Sequence, residues 1–303
     1  MKQRLSTAIP LILVVALAII LGHRCHGIFF LAFSLAMVLT GLHEAFTMVD
    51  IPCNRAYRLT AMLFAALLVV NAQLPVLAPR LAAHAPYIDV LIIACYALCA
   101  VAPVFREGPS REMCGAYLTS LGIYLYIAWM LSFLGKLFFA NIGFPVTHFG
   151  RNLFLFIIAV TKMADVGAYV VGTLTAKMPG GNHKLAPRLS PKKSVEGLVG
   201  GTVFSVGTAI GLAYIPGFVC CQKTLGSFSL VERFFNIYEL IAIGVLASVV
   251  GLLGDLIESA LKRAAALKDS GHIPGIGGIL DVLDSLIPIS PLFYAYVLIK
   301  VCN

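Results

Sequence analysis

Apolar residues run through this chain in blocks of about twenty, and that length decides the solvent in which the chain folds. An α-helix rises 1.5 Å per residue, so such a block matches the ~30 Å hydrocarbon core of a bilayer. Nine blocks fall at roughly 6–22, 27–46, 58–78, 87–105, 115–135, 152–172, 197–219, 234–254 and 286–302. Of the 303 residues, 60% are hydrophobic and only 12% are charged, against about a quarter charged in a soluble domain. In lipid the backbone must satisfy its own polar groups, which leaves helices as the spanning element. The expected fold class is all-α, a polytopic transmembrane helical protein with about nine spans. The first block follows a basic start and is trailed by His23, Arg24 and His26 rather than by a small-x-small cleavage site. It reads as an uncleaved span. The last block is short and holds Pro288 and Pro291.

The net charge of +8 does not point to nucleic acid, because the basic residues sit in short loops between apolar blocks. That distribution suits topology and anionic headgroups or phosphates. With the amino terminus and every second loop on one side, that side collects fourteen Lys and Arg and the other seven, with Lys162 inside a span. The first side is then cytoplasmic. The two most polar loops, 173–196 and 255–285, both face it. Residues 1–150 read as amino-terminal transmembrane helices. Residues 151–303 read as a carboxy-terminal transmembrane region that carries the chemistry. The eight cysteines form no CxxC pair and no zinc-like His/Cys spacing.

The most informative stretch is GDLIESALKRAAALKDSGHIPGIGGILDVLDS, residues 254–285. Residues 255–268 read as a helix that begins where an apolar span ends, with Glu258 and Lys262 as an i,i+4 pair. A breaker-rich loop follows, and then Asp281 and Asp284, three apart. On one helix both carboxylates would project from one face. Such a pair suits a hard cation such as Mg2+, which takes one or two carboxylates plus phosphates and waters. The glycine loop offers backbone N–H groups to phosphate oxygens. Lys262, Arg263 and Lys268 add positive charge. The plainer explanations are a helix start that favours Asp and base pairs that set topology.

The second stretch is DVGAYVVGTLTAKMPGGNHKLAPRLSPKKSVEGLVGG, residues 165–201. Asp165 lies in or near an apolar span, where a carboxylate is expensive. It is either functional or a buried partner for Lys162. Lys184, Arg188, Lys192 and Lys193 form a basic loop, and Ser190-Pro191 marks a turn or a helix entry. Gly197, Gly200 and Gly201 open the next span, where small residues permit close helix approach.

Residues 259–285 closely resemble the carboxy-terminal signature of the phosphatidate cytidylyltransferase (CDP-diacylglycerol synthase) family. Ser259, Lys262, Arg263, Lys268, Asp269, Pro274, Gly275, Gly277, Gly278, Asp281 and Asp284 fall on it in order. Upstream, DVGAYVVG resembles the family's Asp-x-Gly-Ala-Tyr motif. KLAPRLSPKKSVEGLVGG resembles its Ser-Pro-Lys-Lys-(Ser/Thr)-x-Glu-Gly motif. Two positions depart from the pattern: Ile276 and Val282 stand where family members often have His and Arg.

The resemblance implies CMP transfer from CTP to phosphatidate, giving CDP-diacylglycerol and pyrophosphate, in a bacterial inner membrane with the site facing the cytoplasm. It implies Asp255, Asp281 and Asp284 as ligands of a divalent metal, and it allows a monovalent cation such as K+ and a homodimer. Catalytic roles fall to Asp255, Lys262, Arg263, Lys268, Asp269, Asp281 and Asp284. Substrate contacts fall to Asp165, Ser190, Lys192, Lys193, Glu196, Ser259, Gly275, Gly277 and Gly278. The attacking phosphate oxygen is already anionic at neutral pH, so no strong base is needed. A membrane kinase acting on polyprenol from CTP would need one. A transporter reading of Asp165 and Asp255 predicts flux without chemistry.

Overall fold

The computed structural model describes residues 27–140, 149–215, 220–225, 228–267, 270–271 and 277–302. In chain order the elements are α1 (Ile28–Met48), α2 (Asn54–Asn71), α3 (Pro79–Glu107), α4 (Arg111–Phe138) and α5 (Phe149–Thr175). Then follow β1 (Lys184–Ala186), β2 (Ser190–Ser194), α6 (Val195–Ala213), β3 (Cys220–Leu225), β4 (Phe228–Arg233), α7 (Ile237–Ala264), α8 (Ile279–Leu283) and α9 (Leu286–Cys302). Among the described residues, seven helical stretches are long and apolar enough to cross a membrane: α1, α3, α4, α5, α6, α7 and Ile279–Val301. The chain is a multi-pass, all-α membrane protein.

Of the nine expected spans, the first lies outside the described residues. The third is α2, whose Asn54, Arg55, Arg58 and Asn71 keep it less apolar than the other seven. The short last block does form a helix, with Pro291 inside it.

The chain divides into two compact units. The first comprises Met1–Phe139 and Leu261–Leu283. Here α1 packs on α2, α2 on α3, and α8 against α1. Leu42, Phe46, Tyr57 and Leu68 are fully buried, and Tyr96 stacks on Tyr124 with ring centroids 3.9 Å apart. One buried charge is satisfied here: Lys136 pairs with Asp89, and Asn71 Nδ2 donates to Asp89 Oδ1 at 2.6 Å. A charged group at this depth is tolerated because each oxygen has a partner.

The second unit comprises Ala140–Ala260 and Asp284–Asn303. Its main contact is between α5 and α6. Two glycines make that approach possible. A Cβ on Gly200 would fall 2.3 Å from Val171 Cγ2, and one on Gly201 would fall 2.7 Å from the Ala164 carbonyl oxygen. The small-residue reading of this span is therefore borne out. Phe156, Phe235 and Phe293 cluster with centroids 5.5–6.2 Å apart.

Three local expectations are corrected. Ser190-Pro191 does not open a helix: it starts strand β2, which pairs antiparallel with β1. The helix begins one step later, where Ser194 Oγ accepts from Gly197 N at 3.1 Å as an N-cap. Residues 255–268 are not a separate helix, because Asp255 lies well inside the 28-residue α7. Finally, Asp281 and Asp284 do not share one helix. Asp281 is in α8, and Asp284 sits in the turn between α8 and α9.

Candidate active site

The second unit holds a cavity of about 200 Å³ lined by carboxylates, lysines and apolar side chains. Asp165 reaches it from α5, Lys192 and Lys193 from β2, and Asp255 from α7. Ala164, Ala168, Tyr169, Leu198 and Leu252 supply apolar wall. Tyr169 is 74% exposed.

The strand pairing of β1 with β2 places the lysines. Side chains alternate along a strand, so consecutive residues face opposite ways. Lys192 is exposed and Lys193 is half-buried. Lys193 Nζ makes an ion pair with Asp255 Oδ2. Glu196, in the first turn of α6, accepts from the His183 backbone N at 3.1 Å and lies 2.6 Å from its Nδ1. Glu196 thereby ties the end of the hairpin to the helix start. Ser190 begins β2 and is half-buried.

In the same unit, Asp165 Oδ2 accepts from Lys162 Nζ at 3.1 Å and from Ser285 Oγ at 3.0 Å. Lys162 Nζ also donates to Ser285 Oγ at 2.7 Å. The expected Lys162 partner for Asp165 is present, and Ser285 joins them into a triangle. Asp284 is 8% exposed and lies close enough to Asp255 for the two carboxyls to interact electrostatically. Its Oδ1 accepts from Ser285 N at 2.6 Å. Gly254 lets the chain pass: a Cβ there would fall 2.2 Å from the Asp284 carbonyl oxygen. Ser259 is half-buried on α7.

Two neighbouring carboxyls, one buried and one half-buried, repel if both ionise. A hard divalent cation relieves that repulsion, so the Asp255 and Asp284 donor set fits magnesium. Among the described residues, no group of three or more His, Cys, Asp or Glu is arranged to hold a metal. Magnesium does not require such a group, since phosphates and waters complete its shell.

The first unit holds the turn of the signature motif (the signature turn), described at residues 270–271 and 277–283. Lys262, in the last turn of α7, donates to Asp281 Oδ1 at 2.5 Å, and both side chains are largely buried. Asp281 Oδ2 accepts from Ser270 N at 3.1 Å, Ser270 Oγ at 2.8 Å and Gly278 N at 2.7 Å. Asp281 thus fastens the turn from several directions. Arg263 is exposed on the same helical turn as Lys262, and Gly277 has φ +94°, which favours glycine. Lys268, Asp269 and Gly275 lie outside the described residues.

One residue of this turn's surroundings escaped the sequence reading. Glu44, on α1, accepts from Ile279 N at 3.0 Å and Leu280 N at 2.9 Å. The available signal was a lone carboxylate in an apolar span, the same signal that singled out Asp165.

Curated relatives agree with the resemblance read from the motifs. The chain is 37% identical over 144 residues to a phosphatidate cytidylyltransferase of Staphylococcus haemolyticus, covering 47% of this chain and 48% of that protein. It is 35% identical over 146 residues to the enzyme of that name from Chlamydia muridarum, covering 48% of this chain and 43% of the relative. A Staphylococcus aureus protein of the same name is 35% identical over 144 residues, again 47% and 48% of the two chains. The chain thus spans about half the length of the curated relatives it matches. The match to the family described as Cytidylyltransferase family runs over residues 2–300, and the chain belongs to that family.

Proposed function

We propose that this protein transfers CMP from CTP to phosphatidate, releasing pyrophosphate and forming CDP-diacylglycerol. The observation that carries this reading is the cavity itself. It combines Asp255 and Asp165 with Lys192 and Lys193, and its wall contains Ala164, Ala168, Leu198 and Leu252. Such a lining suits a phosphate group borne on a lipid. The names of the relatives support the same substrates.

The chemistry asks little of a general base. A phosphate oxygen of phosphatidate, anionic at neutral pH, attacks the α-phosphorus of CTP. The new bond is O–P, the α–β anhydride bond breaks, and pyrophosphate leaves with both its electrons. No proton must move for this step. The obstacle is bringing two polyanions together, which is a problem of positioning and charge.

Asp255 and Asp284 would hold a magnesium ion. When bound, that ion supplies positive charge to the triphosphate and lowers the barrier to pyrophosphate departure. Lys193 holds Asp255 and, with exposed Lys192, presents cationic charge at the cavity. Lys162 and Ser285 keep Asp165 oriented. Lys262 is paired with Asp281, so the two serve to hold the signature turn rather than to carry phosphate. Ile276 and Val282 fit this division, since no step depends on a His or an Arg at those positions.

The excess of Lys and Arg around the β1–β2 hairpin supports a cytoplasmic site, where CTP is found. The test is direct. Full-length protein in detergent or liposomes is incubated with CTP, phosphatidate and magnesium, and lipid products are read by mass spectrometry. CDP-diacylglycerol and pyrophosphate in equal amounts are expected. Phosphorylation of polyprenol with no reaction on phosphatidate would replace this reading with a kinase.

A further inference from the structure

Glu44 is the one carboxylate in α1, a helix of 21 mostly apolar residues. A carboxylate there is costly unless its oxygens are well supplied with donors. The donors come from residues more than 200 positions away. Oε1 accepts from Ile279 N at 3.0 Å, and Oε2 accepts from Leu280 N at 2.9 Å. The Ser270 hydroxyl stands between Glu44 Oε2 at 3.3 Å and Asp281 Oδ2 at 2.8 Å.

The two glycines that flank this carboxylate leave it no spare room. A Cβ on Gly271 would fall 2.7 Å from Glu44 Oε1, and one on Gly278 would fall 2.4 Å from Glu44 Oε2. Ser270, Gly271 and the run Gly278–Leu280 therefore pack directly against the Glu44 carboxylate. Asp281 fastens the same turn from the other side through Ser270, Gly278 and Lys262.

We infer that Glu44 is a positioning residue for the proposed reaction, by which the amino-terminal helices, together with Asp281, hold the turn from which the chain runs on to Asp284. This rests on the function proposed above, because the chain leaves that turn at Asp284, a proposed cation ligand. Glu44 itself touches neither substrate. It acts through Ser270 and the first turn of α8. Glu44→Gln keeps the shape of the side chain but turns one acceptor into a donor facing another donor. Such a mismatch loosens the turn without emptying its space.

The experiment has two arms, both on the full chain. Hydrogen exchange of peptides covering 277–283 is compared between the wild type and Glu44→Gln, with α5 peptides as internal reference. Exchange about tenfold faster at 277–283 and unchanged in α5 is the expected result, from loss of local protection. Unchanged exchange at 277–283 overturns the inference, whatever reaction the protein performs.

The second arm measures CDP-diacylglycerol formation. Glu44→Gln is expected to lower kcat about tenfold with little change in KM for CTP, the pattern of an interaction outside ground-state binding. Ser270→Ala, which removes the bridge from the turn side, is expected to do the same. Combining Glu44→Gln with Asp281→Asn should lose no more than Asp281→Asn alone, because the two act as a unit. Fully additive losses overturn the positioning role. Absence of product in the wild type overturns the proposed function, and the exchange arm then still decides the role of Glu44 in the turn.

Discussion

Asp255 and Asp284 are separated by 29 positions in sequence, yet they lie in one unit and interact electrostatically. If they hold a divalent ion, each is needed for the charge it supplies and not for its shape. Asp255→Asn and Asp284→Asn should each lower kcat by about a hundredfold or more, as expected when transition-state charge stabilisation is removed. Near wild-type turnover of either variant at saturating magnesium would sink that assignment. Lys193→Gln removes both the partner of Asp255 and a cation from the cavity. Its KM for CTP should rise about tenfold, equivalent to ~1.4 kcal/mol of binding. An unchanged KM would mean that Lys193 serves its ion pair with Asp255 or the topology and does not bind CTP. At this scale the sequence was informative where cost alone identifies a residue. Asp165 and Asp255 stand out because a carboxylate in or beside an apolar span is expensive, and Lys192 and Lys193 because they belong to a basic loop. Ser285 and Glu44 did not stand out by role. Their partners lie 120 and more than 200 residues away, and one sequence carries no record of such pairings.

The helices were legible as elements because length and hydropathy decide them, but the breaks between them were not. A three-residue spacing suggested one helix carrying Asp281 and Asp284. The chain instead turns at Asp284 and Ser285, where both make side-chain hydrogen bonds that compete with helical ones. Ser190-Pro191 similarly suggested a turn or a helix entry and gave no sign of a strand. Only the pairing of Ser190 with Ala186, and of Ser194 with Lys184, decides for the strand. The packing of α5 on α6 yields a prediction of its own. Gly201→Ala places a methyl group 2.7 Å from the Ala164 carbonyl oxygen. Helix backbones cannot yield as a flexible side-chain tip does, so the two helices must separate. The expected loss is about 1–3 kcal/mol, typical of overpacking, read as a lower midpoint of thermal unfolding in detergent. Gly207→Ala on the same helix meets open space and should leave the midpoint unchanged or raise it slightly. Equal midpoints for the two variants would mean that the close approach is not what Gly201 serves.

For the molecule as a whole, the bilayer was readable from composition, but orientation rests on charge counting. On the nine-span scheme, fourteen Lys and Arg fall on one side against seven on the other, a twofold bias. The rule reads short loops near span ends, and these loops are short enough for it to apply. It depends on the number of crossings between any two loops, so a labelling experiment that compares two loops tests the bias and the crossing count together. Arg188 is exposed in the connection between β1 and β2, and Arg80 is exposed at the start of α3. The alternating scheme puts these two positions on opposite sides. With the eight native cysteines replaced by Ser, Arg188→Cys should react with a membrane-impermeant maleimide in inverted vesicles and not in right-side-out ones. Arg80→Cys should show the reverse. Reaction of both from the same side would break the crossing count between α3 and the hairpin. Reaction of Arg188→Cys from outside would place Lys192 and Lys193 away from cytoplasmic CTP, and the proposed reaction would then lack its nucleotide.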